Sequence, residues 1–153
     1  MINLGSEKEP GTDLVTEDKF RDFVIRYEYM IPSNSNSGVY LRGRHEIQIL
    51  DDYRSVFLQN KAPEMGGNGA LYSIAPAKMA ASRPPGKWQY VEALIKENKM
   101  TVYLNGVKIH DQVEVNKATG GELDAHLDQP GPIMLQGDHG PVAFRNFRIK
   151  PLK

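Results

Sequence analysis

The sequence predicts an all-β protein built as a two-sheet sandwich, and three observations carry that prediction. Most regular stretches alternate apolar and polar residues with a period of two, the pattern of a strand with one face in a core. Roughly nine or ten such stretches follow one another, separated by Gly, Pro and Asn clusters, and almost none keeps a helical period. Long irregular crossings between them favour a jelly-roll path.

Residues 1–12 are polar, close on Pro10-Gly11 and read as a loose lead-in; residues 13–153 read as one sandwich domain. A short strand is expected at 13–16. The longest extended stretch, 20–31, sets Phe23, Ile25, Tyr27, Tyr29 and Ile31 on one face with Arg26 and Glu28 on the other. Its β-branched and aromatic residues suit a pleated, half-buried surface. After a turn-rich segment at 32–37, stretches 38–42 and 45–50 form a hairpin around Gly43-Arg44. Residues 52–69 read as a long surface loop, 70–73 as a short strand and 74–86 as another irregular crossing. Strands at 87–96 and 99–105 meet at Glu97-Asn98, with Trp88 and Tyr90 expected to fill the core. Asn105-Gly106 tolerates the positive φ of a type I′ turn, so 107–115 pairs back. Residues 122–127 could form one helical turn, and the last two strands fall at 131–136 and 142–150 around a 137–141 loop.

With 153 residues the chain suits one domain with a sizeable core. Nineteen basic and nineteen acidic residues cancel, so no overall field attracts nucleic acid or an anionic membrane, and a neutral ligand is favoured. No apolar run approaches the length of a membrane span, and the first residues lack the blocks of a signal peptide. Without cysteine there is no disulfide framework, thiolate metal site or Cys nucleophile.

The hairpin carries the candidate chemistry. On its second strand Glu46 and Gln48 point one way while Ile47 and Ile49 point the other. Asp51 has the opposite parity and joins Glu46 only if a bulge intervenes near residues 49–51.

Four groups of residues together resemble a known family. They are Asn36-Ser-Gly-Val-Tyr-Leu-Arg42 with Glu46-Ile-Gln-Ile-Leu-Asp51; Gly69-Ala-Leu-Tyr72; Pro85-Gly-Lys-Trp88 followed by Leu104-Asn-Gly106; and Gly131-Pro-Ile-Met-Leu-Gln136 with His139-Gly140 and Phe144-Arg-Asn-Phe-Arg-Ile149. The set resembles the 3-keto-disaccharide hydrolase domain, over about residues 13–151. The resemblance implies a concanavalin A-like jelly-roll β-sandwich of two antiparallel sheets, with a sugar in its concave face. It also implies exported or cell-envelope bacterial proteins that cleave 3-keto-glycosides. Family members begin with a further strand, so one sheet edge is expected to lie open here, a route to oligomers.

The same hairpin resembles the catalytic strand of the laminarinase and lichenase group, where Glu, Asp and Glu serve as nucleophile, helper and acid/base. Here Glu46, Gln48 and Asp51 occupy those places, and an amide in the middle cannot pass a proton. A keto-sugar asks for less: a C3 carbonyl acidifies the C2 proton, so one base and enolate stabilisation suffice to expel the C1 substituent. The expected assignment is Glu46 or Asp51 as base, with Arg42 and Gln48 holding the oxygens. Tyr40, Tyr72 and His139 complete the substrate site.

Blander readings stand beside this one. The carboxylates could form a solvated strand face, Arg145 reads as a surface charge or ion-pair partner, and His45, His110 and His126 are scattered. A divalent metal on His139, Glu46 and Asp51 stays open on ligand type, although no close-spaced ligand motif supports it. The functional alternative is a non-catalytic carbohydrate-binding module, and a third is an adhesion or assembly domain.

Overall fold

A computed structural model gives the structure of the chain; it describes residues 2–3, 9 and 11–153, with the backbone alone for residues 2 and 3. Among these the strands run β1 (Ile2–Asn3), β2 (Leu14–Val15), β3 (Phe23–Met30), β4 (Asn36–Leu41), β5 (His45–Leu50), β6 (Gln89–Lys96), β7 (Lys99–Leu104), β8 (Val107–Glu114), β9 (Met134–Leu135) and β10 (Val142–Pro151). They form a six-stranded sheet, β1-β10-β3-β6-β7-β8, and a four-stranded sheet, β2-β9-β4-β5. The described pairings are all antiparallel, as the jelly-roll β-sandwich expectation requires.

The period of two decides which residues meet between the sheets. Phe23, Ile25, Tyr27 and Tyr29 of β3 are buried, as are Val91, Ala93 and Ile95 of β6 and Met100, Val102 and Leu104 of β7. From the smaller sheet Val39, Leu41, Ile47 and Ile49 enter the same cluster. Two of the hairpin turns, those after β7 and β4, take the geometry their residues allow. Asn105 and Gly106 have φ of 51° and 82°, and Arg42 and Gly43 have φ of 57° and 67°; the second pair brings Arg44 N–H to Leu41 O at 3.2 Å. Positive φ at Arg42 is uncommon for a residue with a Cβ.

Several local expectations are corrected. Residues 70–73 make isolated bridges rather than a strand: Leu71 pairs with Ile47 and with Ala75. Residues 122–127 form no helical turn, while Arg54–Leu58 inside the 52–69 loop forms one turn of π-helix. Trp88 and Tyr90 lie outside the core because even-numbered positions of β6 face outward, and Tyr90 is 37% exposed. Trp88 is only half-buried, and the Arg145 guanidinium lies 3.9 Å from its ring centroid. Arg145 also pairs with Glu28, the plain role expected of it. The lead-in supplies β1, which covers the edge of β10. No helix among the described residues is long and apolar enough to cross a membrane.

Gly131 ties residue 20 to the smaller sheet's loop end, through Phe20 N–H to Gly131 O at 2.8 Å and the reciprocal bond at 3.0 Å. A Cβ on Gly131 would meet Arg42 O at 2.2 Å, and a backbone carbonyl cannot step aside. Gly131→Ala is therefore expected to lower the unfolding free energy by about 3 kcal/mol in a urea titration, the scale of a forced overpacking.

Candidate functional site

The hollow on the outer face of the smaller sheet

The same alternation that fills the core gives the smaller sheet a second, polar face. Asn36, Gly38 and Tyr40 of β4 share it with Glu46 and Gln48 of β5, and the register sets Tyr40 opposite Glu46 and Gly38 opposite Gln48. On the other side β9 sets Met134 opposite Tyr40; two residues on, Gln136 donates its N–H to Gly38 O at 2.9 Å. With Tyr72, Gly120, Gly121 and His139, the side chains of Asn36, Tyr40, Glu46, Gln48 and Gln136 enclose a hollow of about 300 Å³. That is the small end of ligand-site volumes and suits a single sugar ring.

Glu46 is 4% exposed. A Cβ on Gly38 would lie 2.1 Å from Glu46 Oε1, so only a glycine there lets the carboxylate lie across β4. This is the close approach that a glycine inside a strand often marks. Tyr40 OH donates to Glu46 Oε2 at 3.0 Å, and Glu46 N–H donates to Thr119 Oγ1 at 2.9 Å. Burial pushes the Glu46 carboxyl up to about 7, against the lowering pull of the Tyr40 hydrogen bond and of His139. Burial, followed by the charge of Glu46, pushes the Tyr40 phenol upward, so Tyr40 remains a donor at neutral pH.

Amides line the remainder. Gln48 Oε1 accepts from Ile49 N–H at 3.1 Å, which fixes that side chain. Asn36 Oδ1 and Gln136 Oε1 are buried and have no hydrogen-bond partner. A buried polar atom left unpaired costs on the order of 1–3 kcal/mol, so two in one hollow mark a place where a ligand or water completes the bonding.

One wall is the 117–129 loop, clamped by Arg44. Its guanidinium donates to Asp124 Oδ1 at 2.5 Å, Asp124 Oδ2 at 3.1 Å and Gln129 O at 2.8 Å, and holds the Asp124 carboxyl down to about 2. Thr119 N–H reaches Arg44 O at 3.0 Å. The loop is thereby laid against Tyr40, whose OH is 2.9 Å from where a Cβ of Gly121 would stand.

Tyr40, Glu46, Gln48, Tyr72 and His139 thus meet around one hollow, and Tyr72, 39% exposed, stands at its mouth. Arg42 does not join them. It is 1% exposed and its guanidinium donates to Arg21 O at 2.6 Å, Leu127 O at 3.3 Å and Asp22 Oδ1 at 3.1 Å. The tight turn at Arg42-Gly43 sends that side chain elsewhere, so it does not line the hollow. Asp51 is absent as well. The β4–β5 register runs unbroken from Leu41↔His45 to Asn36↔Leu50, leaving no bulge to reverse its parity. Asp51 instead accepts the N–H groups of Asn34 at 2.9 Å and Tyr53 at 3.4 Å. It lines a separate hollow of about 270 Å³ beside Asp52 and Glu64. The metal grouping of His139, Glu46 and Asp51 fails for the same reason, and no cluster of three His, Cys, Asp or Glu suited to a metal occurs among the described residues.

Asn36, Gly38, Gln136 and the Gly120-Gly121 pair were missed by the sequence reading. Parity could have found the first two, since they share the register face of Tyr40, but the glycine pair arrives from a loop about 75 residues away with no periodic signal.

The family model of the 3-keto-alpha-glucoside-1,2-lyase-like domain matches residues 1–150. The chain belongs to that family. Solved structures agree on the fold. A chain from Parabacteroides distasonis ATCC 8503, provisionally described as a glycosyl hydrolase, is 29% identical with a TM-score of 0.76, covering 96% of this chain and 70% of that one. A second such chain from the same organism is 22% identical with a TM-score of 0.78, covering 99% and 80%. The carbohydrate-binding module CBM66 from Bacillus subtilis shares the fold at 12% identity and a TM-score of 0.57, covering 92% and 83%. No curated protein gave a match.

For this lyase-like domain the buried carboxylate has a measurable consequence. Glu46 is raised from 4.5 to about 7, so the folded protein holds that proton more tightly than the unfolded chain. Its favourable contribution is full below about pH 4.5 and is lost as pH rises through about 7. Glu46→Gln is therefore expected to raise the unfolding free energy by about 3 kcal/mol at pH 8 and to change it little at pH 4, measured by urea titration at both values. Arg42→Met, by contrast, strips Asp22 of a buried partner and should lower stability by about 3 kcal/mol at pH 7 without altering ligand affinity of the folded protein.

Proposed function

We propose that this domain cleaves 3-keto-glycosides by elimination, with Glu46 as the base. The observation that carries the reading is a lone carboxylate, buried and held near neutral pKa inside a polar hollow the size of one sugar ring. Retaining and inverting glycoside hydrolysis both use two carboxyl groups flanking the scissile bond. Glu46 and Asp51 do not provide that pair, since they line different hollows. Elimination needs one. The C3 carbonyl acidifies the C2 proton, Glu46 takes it, and the electron pair passes into an enolate at C2, C3 and the C3 oxygen. Collapse of the enolate forms the C1–C2 double bond and breaks the C1–O bond, and the departing oxygen takes up a proton from His139 or water at the mouth.

The remaining polar groups have roles suited to that sequence. Gln48, with its carbonyl end already occupied by Ile49 N–H, has its NH₂ end free to donate to the developing oxyanion. Tyr40 keeps the Glu46 carboxylate ionised enough to act and aims it. A carboxyl near 7 suits a base working at neutral pH, because it is both substantially ionised and a strong proton acceptor. Tyr72 supplies an apolar wall for a ring face.

A non-catalytic carbohydrate-binding role is the second reading, favoured by the unpaired Asn36 and Gln136 oxygens, which ask for ligand hydroxyls whether or not chemistry follows.

The test is turnover of an alkyl 3-keto-α-glucoside beside its unoxidised parent. The keto-glucoside should release its alcohol, the parent should not, and kcat/KM should rise with pH through about 7. Glu46→Gln should lose about 10²–10⁴-fold in kcat/KM, the scale of a general base; full turnover by that variant removes Glu46 from the role, and tight binding without turnover by the wild type favours the second reading.

A further inference from the structure

Among the residues that line the hollow the one basic side chain is His139, and it is tied to Asp138. Glu46 brings a carboxylate, and Asn36 and Gln136 bring buried oxygens with no donor to satisfy them. No lysine or arginine lines it. The two arginines nearest in sequence to Glu46 are committed elsewhere, Arg42 to Asp22 and Arg44 to Asp124. Around the rim the charges are again acidic: Asp13 Oδ1 accepts Gly137 N–H at 2.8 Å, just before His139, and Asp138 is bonded to His139 itself. Sites that hold a carboxylate or phosphate present arginine forks, lysines or clustered N–H groups. This hollow presents amides and phenols, with neither an arginine fork nor a lysine.

We propose that the hollow selects its ligand by hydrogen-bond donors and against negative charge, so that it takes neutral, hydroxyl-bearing keto-sugar rings and rejects sugar acids and sugar phosphates. The inference rests on reading the hollow as a sugar site and narrows the substrate class of that site. A ring hydroxyl offers an O–H to each unpaired amide oxygen, whereas an ionised carboxylate or phosphate offers lone pairs to groups already rich in them. An anion would also lie within a few ångströms of the Glu46 carboxylate, in surroundings that screen charge far less than water does. The discrimination therefore belongs mainly to charge, and Glu46 doubles as base and as the filter.

The experiment separates this claim from the catalytic one by using ligands that cannot react. 1,5-Anhydro-3-keto-glucitol lacks the exocyclic C1 substituent that the proposed cleavage expels, and its 6-carboxylate counterpart differs by an exchange of similar size, CH₂OH for COO⁻. Calorimetric titration of both at pH 8, into the wild type and Glu46→Gln, should show the wild type preferring the neutral ligand by at least about tenfold. In Glu46→Gln that ratio should narrow by about threefold or more. Equal affinities, or a preference for the acid, overturn the proposal. A preference that persists undiminished in Glu46→Gln overturns it too, because rejection would then come from shape. Failure of both ligands to bind either protein overturns the proposal together with the sugar-site reading, whereas a failure confined to the ratio leaves that reading standing. A gain-of-function arm sharpens the result: Gln136→Arg should move the preference toward the acid by about tenfold.

Discussion

Everything at the site depends on one strained arrangement, the Glu46 carboxylate taken out of water and laid across the backbone of Gly38. The arrangement is unfavourable for folding in neutral solution, since burial penalises the ionised form. It persists because β4 and β5 are fixed in register from both sides: Val39, Leu41, Ile47 and Ile49 are locked into the core, which leaves Glu46 no other direction to point. Tyr40 and Thr119 then hold its side chain and backbone. The core thus supplies the free energy that keeps a poorly solvated carboxylate in place, a common division of labour between scaffold and site.

The buried arginines extend that logic. Arg42 and Arg44 flank the hairpin turn and could be taken for ligand-binding residues, yet each anchors a neighbouring segment. Arg42 ties the turn to residues 21–22 and to Leu127. Arg44 pins the loop whose Gly120-Gly121 pair forms a wall against Tyr40. Their charges are spent structurally, and the hollow keeps an acidic character in a chain whose formal net charge is +0.

Most of the fold was legible because a period of two needs no knowledge of partners. The strands at 20–31, 45–50, 87–96 and 107–115 were visible in their own residues, and Asn105-Gly106 announced its turn. The site was legible only along one strand and its hairpin partner. Glu46, Gln48 and Tyr40 share a face by parity, but Asp51 could join them only through a bulge near residues 49–51, and the unbroken pairing from Leu41 with His45 to Asn36 with Leu50 removes it. Arg42 was misplaced because a left-handed backbone at a turn redirects a side chain in a way that alternation does not encode. Gly120, Gly121 and Gln136 come from distant loops, where contact depends on tertiary closure rather than on local pattern. Trp88 shows the converse error, in which residue type overruled a parity that already pointed outward.

The central claim is that Glu46 removes the C2 proton of a 3-keto-sugar, and proton exchange reads that step without requiring cleavage. Incubating 1,5-anhydro-3-keto-glucitol with the protein in D₂O and following the C2 proton by NMR isolates it. The account expects the C2 signal to fade with the wild type well above the buffer rate and to persist with Glu46→Gln. Retention of the signal with the wild type, or equal loss with the variant, would contradict it.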